Sequence, residues 1–194
     1  MVSKKQAPKL EDCLSYFEYV EILNGARDLE RDARNGEVNK KEYCKREKAA
    51  IQKLCKYPNV ECFKTEGELE ERLKKEFKSH PQVAESVEHE ASHAGVAREY
   101  GMEYQFLMVL FYSPSSYPKP MAFHLFVRSY HNGKGKNRRW TKFQDLKYSI
   151  ESAKAPRNLS LYDQEKLVEL RQDIENSPQL GRRQKERLLR LIPG

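Results

Sequence analysis

Apolar residues recur along the chain with two different periods, and the change between them predicts its elements. From Leu10 through Cys13, Leu14, Phe17, Val20, Leu23 and Leu29 they keep helical spacing, and Asn35-Gly36 offers a stop. Asn39, with Glu42 three residues later, reads as a capping box opening a second helix through Tyr43, Glu47, Ala50, Ile51 and Leu54, which Tyr57-Pro58 ends. A helical hairpin is therefore expected over residues 1–62. Thr65 and Glu68 repeat the capping pattern ahead of the stripe Leu69, Leu73 and Phe77. Pro81 suits the first turn of a further helix, in which Ala84, Val87, Ala91, Ala94, Val96, Ala97 and Tyr100 lead up to Gly101 as terminator.

After Gly101 the period shortens. Glu103 to Tyr112 and Met121 to Tyr130 are rich in aromatic and aliphatic residues, and the proline-rich run from Ser113 to Pro120 lies between them. Two strands joined by a loop are expected, with Ala122, His124, Phe126 and Arg128 on one face of the second and Met121, Phe123, Leu125 and Val127 on the other. His124 reads as a surface or hydrogen-bonded strand histidine. Ser160 opens another helix, and Gly181 to Gly194 reads as a basic amphipathic one. The expected fold class is α+β, mainly helical, with a small β-hairpin or sheet packed on the helix that begins at Pro81.

Composition narrows the picture. The chain has 194 residues, enough to bury a real core, and its mean hydropathy of -0.89 describes charged outer faces around periodic apolar positions. No run of eighteen apolar residues exists, so a membrane-spanning helix is excluded, and the segment Met1-Val2-Ser3-Lys4-Lys5 lacks the apolar stretch of a signal peptide. A cytoplasmic location is expected. Cys13, Cys44, Cys55 and Cys62 form no C-x-x-C pair and read as reduced thiols.

The most specific chemistry is the pentapeptide His89-Glu90-Ala91-Ser92-His93. On a helix it sets two imidazoles one turn apart on one face, where one Zn²⁺ can bridge them. Catalytic zinc takes three protein ligands and keeps a fourth position for water. Glu90 lies about 100° round the helix from His89, within reach of that water as general base. The pattern points to a zinc-dependent hydrolase, with Zn²⁺ as cofactor and a protein or peptide as substrate.

The string His89-Glu90-Ala91-Ser92-His93-Ala94 resembles the His-Glu-Ala-Gly-His-Ala segment of the FtsH-type, AAA-linked metallopeptidases, with Ser92 where that family usually has Gly. Neither the family's phosphate-binding loop nor its membrane anchor has a counterpart here. A metzincin pattern would need Gly at 96 and His at 99, where this chain has Val96 and Glu99. Acidic residues are absent between Glu103 and Asp145, so the candidates for a third ligand are Glu99, Glu103, Asp145, Glu151, Asp163, Glu165 and Glu169. The resemblance favours Asp163, since the family's third ligand is an aspartate on a helix well downstream. The competing reading makes Asp163 a helix cap three residues after Ser160. The resemblance thus implies a zincin-like metallopeptidase core over residues 63–177, between the N-terminal hairpin and a basic C-terminal helix or tail at 178–194.

A second class of function follows from charge. The net charge is +7 and the pI about 9.1. Lys134, Lys136, Arg138 and Arg139 cluster beside Trp140, where cations can meet phosphate while a base stacks on the indole. Nucleic-acid binding through this loop and the C-terminus, or a protein-interaction module with an inactive metal site, is the alternative.

Overall fold

The structure is a computed structural model and describes residues 8–78, 81–130 and 141–193. It is a mainly helical α+β fold with seven helices and a small three-stranded antiparallel sheet among the described residues. In chain order these are α1 (Tyr16–Asn35), α2 (Lys40–Leu54), β1 (Val60–Phe63), α3 (Glu66–Phe77), α4 (Pro81–Glu99), β2 (Glu103–Phe111), β3 (Ala122–Tyr130), α5 (Lys142–Lys154), α6 (Leu161–Asn176) and α7 (Arg182–Leu189).

Capping decides where most helices begin. The Ser15 hydroxyl accepts the Glu18 N–H while the Glu18 carboxylate accepts the Ser15 N–H, and this reciprocal box starts α1. The helical spacing that runs from Leu10 is therefore interrupted. Leu10–Asp12 is a separate short 3₁₀ turn and the backbone at Cys13 is extended. Gly36, at φ +83°, ends α1 in the left-handed conformation that glycine adopts at least cost. The Asn39 side chain accepts the Glu42 N–H at 3.0 Å, but the Glu42 carboxylate turns to Arg46 at 2.8 Å, so that cap is one-sided. Thr65 with Glu68 and Ser160 with Asp163 form full boxes. So do Thr141 and Gln144, which open α5, a helix the apolar pattern did not reveal.

The sheet order is β1-β2-β3. Five consecutive residues of β2, Phe106 to Leu110, are buried, as befits a central strand covered on both faces rather than one alternating between core and solvent. β1 is four residues long, too short to carry a readable period.

Two compact units share the chain: residues 1–63 with 107–126, and residues 64–106 with 127–194. These lines differ from the three contiguous segments read from the sequence, because the middle of the β-hairpin groups with the N-terminal helices. In the first unit Leu14, Tyr19, Leu54, Val60 and Val109 form the core, with Ile22, Leu23, Tyr57, Phe111 and Phe126 packed against it. Asn59 is buried at its edge. Its amide oxygen accepts the Leu14 N–H at 2.8 Å, and its amide nitrogen donates to the Leu14 and Leu110 carbonyls at 3.1 and 2.7 Å.

In the second unit α3 lies against α4, α4 against α5, and α5, α6 and α7 enclose a common core. Leu146, Ile150 and Ala153 from α5 meet Leu167, Leu170 and Ile174 from α6, and Leu180, Leu188 and Ile192 close the cluster. The C-terminal helix is thus part of this unit's core.

Candidate metal centre

The register of α4 explains how the motif is displayed. Val83, Val87, Ala94 and Ala97 are its buried residues, and their spacing leaves one core-facing register unfilled, at Glu90. An acid therefore stands where a stripe of small apolar residues would place another. His89 and His93 belong to the adjacent stripe and are half-buried.

From there both rings reach toward α6. The Nε2 atoms of His89 and His93 are 3.3 Å apart. His89 Nε2 lies 3.2 Å from Asp163 Oδ2 and His93 Nε2 3.6 Å from Asp163 Oδ1. Among the described residues this is the one group of three or more His, Cys, Asp or Glu side chains whose ligand atoms converge, all within 4.8 Å of one another.

The rings are held from behind. His93 Nδ1 lies 2.9 Å from the Ser152 carbonyl near the end of α5, and His89 Nδ1 3.2 Å from the Asn158 carbonyl in the α5–α6 connection. A carbonyl only accepts, so each Nδ1 carries a proton, and in the neutral ring Nε2 then has a lone pair facing the other ligands. Asn158 is fixed in turn by its side-chain amide, which donates to Glu85 on α4 at 3.3 Å.

Asp163 caps α6 and also stands where a third ligand would be needed. Its Oδ2 accepts the Ser160 N–H at 3.1 Å and the Ser160 hydroxyl, completing the cap of α6, and the same carboxylate faces the imidazoles. It is 3% exposed, and an unpaired carboxylate at that depth would be costly.

The three residues could together hold a metal ion, each offering one ligand atom.

Charge is distributed unevenly. The hydrogen bond to Asp163 raises the His89 pKa against the opposing effect of burial, while burial lowers that of His93 despite the attraction of Asp163. For Asp163, burial pushes upward but hydrogen bonds from His89 and Ser160 and the charge of His93 outweigh it, so its carboxyl sits below the usual range. Burial drives the Glu90 carboxyl up to about 8, against the charge of His89 and a hydrogen bond from the backbone N–H of Val127 on β3; the negative charge of Asp163 adds to the rise.

Other candidates from the sequence lie elsewhere. Glu99, Glu103 and Glu165 are exposed, and Glu151 receives the Tyr100 hydroxyl and pairs with Lys147 at 3.4 Å. Asp145 and Glu169 also stand outside the converging group. His124 packs its ring on Tyr19 and Phe126, at centroid distances of 5.3 and 6.4 Å. Lys134, Lys136, Arg138, Arg139 and Trp140 lie outside the described residues. Several cations of α7 have partners within the fold: Arg182 pairs with Glu186, Lys185 donates to the Glu175 carbonyl at 2.7 Å, and Arg187 lies over the Phe143 ring.

Ser152 and Asn158, which orient the rings through their carbonyls, could not be found from sequence, because every residue has a carbonyl. In comparison with known proteins, no family model matches this chain, and no curated protein or solved structure matches it.

Proposed function

We propose that the protein is a zinc-dependent metallopeptidase in which His89, His93 and Asp163 hold the metal and Glu90 is the general base. The observation that supports this most directly is the convergence of two Nε2 lone pairs and one carboxylate, with both Nδ1 atoms committed to backbone carbonyls. A purely structural histidine pair has no need for that shared orientation.

Zinc in such a site supplies a Lewis acid that acidifies water and polarises a carbonyl. The chain's own groups do the rest. Asp163 contributes negative charge that neutral imidazoles lack. Glu90, one residue from His89 and anchored by the Val127 N–H, takes the proton of the attacking water and delivers it to the departing amine. Val127 is on β3, an end strand in the sheet order, and an extended peptide pairs naturally with a strand at such an edge. The substrate class is accordingly a peptide or an unfolded stretch of protein. Among the described residues no helix is long and apolar enough to cross a membrane.

Elemental analysis of protein purified without a His tag tests the metal: about one zinc per chain is expected, and none in His93→Ala. Peptide hydrolysis tests the mechanism, since Glu90→Gln should keep zinc and lose activity. Absence of metal from wild type after zinc is supplied would overturn the reading. If the protein instead bound nucleic acid with an affinity that fell steeply with salt and ignored both substitutions, the basic-surface alternative would replace it.

A further inference from the structure

The first unit holds a second pair of chemically competent side chains, unconnected with the histidines. Cys55 ends α2 and Cys62 lies in β1, and their Sγ atoms are 3.3 Å apart. Both residues are exposed and neither is in a disulfide. That separation is inside ordinary sulfur–sulfur contact, so the two side chains already face each other. Only a modest approach separates them from the bonding distance of about 2.05 Å.

We propose that Cys55 and Cys62 form a reversible dithiol–disulfide site that exchanges with small-molecule disulfides of the glutathione class. The step balances in two displacements. The Cys55 thiolate attacks one sulfur of the oxidised tripeptide, forming a mixed disulfide and releasing one thiolate. Cys62 then gives its proton to the released thiolate and attacks the Cys55 sulfur, forming the Cys55–Cys62 bond and expelling the second thiolate. Two electrons pass from the protein to the reagent, and the two protons of the thiols end on the two released molecules.

Partial burial of its sulfur, and then the hydrogen bond with Cys55, raise the Cys62 thiol, which is consistent with Cys62 acting second. The bond would close the loop Lys56-Tyr57-Pro58-Asn59-Val60-Glu61, which carries the buried Asn59. Oxidation would therefore tie the end of α2 to β1 around the residue whose amide stitches this unit together, and restrict that loop in the unfolded chain.

The test is equilibration of the full chain in glutathione buffers of stepped reduced-to-oxidised ratio, acid quenching, alkylation and peptide mass mapping. The expected result is a Cys55–Cys62 bridge with loss of two of the four titratable thiols. Dithiothreitol should reverse it, and the thermal midpoint should rise in the bridged form. Cys62→Ser should stop at a glutathione adduct on Cys55. The proposal is overturned if wild type accumulates separate adducts on Cys55 and Cys62 without a bridge. It also fails if the pair stays reduced at ratios that already modify Cys13.

Discussion

Asn59 in the first unit and Asp163 in the second are both buried, at 1% and 3% exposure, and the two are used in opposite ways. Asn59 spends its amide on the main chain, with both its oxygen and its nitrogen bonded to Leu14 and the nitrogen also to Leu110. Both of its N–H donors are used. Asp163 is only half spent on the backbone, through the Ser160 cap, and turns the remaining capacity toward two imidazoles whose other nitrogens are already taken. Burial alone therefore does not mark a site. What distinguishes chemistry from architecture is whether the buried group's partners are backbone atoms or other groups able to ligate or titrate.

That contrast can be broken most forcefully at Asp163. Asp163→Ala should take the protein from about one zinc per chain to none by elemental analysis, because two imidazoles alone make an incomplete site. Retention of full stoichiometry would move the third ligand elsewhere. Next comes Glu90→Gln, for which about a 10²- to 10⁴-fold loss of kcat is expected with zinc unchanged. Steady-state peptide hydrolysis on zinc-loaded variant protein reads this directly.

Asn59→Ala addresses the other side of the comparison. It leaves the Leu14 N–H and two carbonyls without their partner, and a loss of about 3 kcal/mol, or roughly 10 °C in Tm, is expected with zinc content unaffected. A variant that lost metal would show that the two units are not energetically separate. The smallest effect is reserved for Ser160→Ala. Removing the cap should cost about 1 kcal/mol in denaturant titrations and weaken zinc binding about tenfold or more, since Asp163 loses the hydroxyl that orients it.

Much of this was legible in the order of residues. The stops at Gly36 and Gly101, the caps at Asn39, Thr65 and Ser160, and the start of α4 at Pro81 are local events, fixed by groups within three or four residues of each other. Two further boxes, at Ser15 and Thr141, obey the same rule, but apolar spacing continues on both sides of the first and the second follows the basic run. β1 is not legible in this way because a four-residue strand is defined by its partner rather than by its own pattern.

The helix that presents His89 and His93 one turn apart, with an acid between them, is written in local residue order, because a 3.6-residue repeat converts spacing into direction without help from the rest of the chain. The same order also puts an acid into the apolar register of α4. Packing between helices selects which of seven carboxylates joins the group, makes the Ser160 cap and the imidazole contacts share one aspartate, and lets the Ser152 and Asn158 carbonyls turn both rings inward. Those outcomes depend on how α4, α5 and α6 pack across more than fifty residues of chain, through backbone atoms that no side-chain alphabet records.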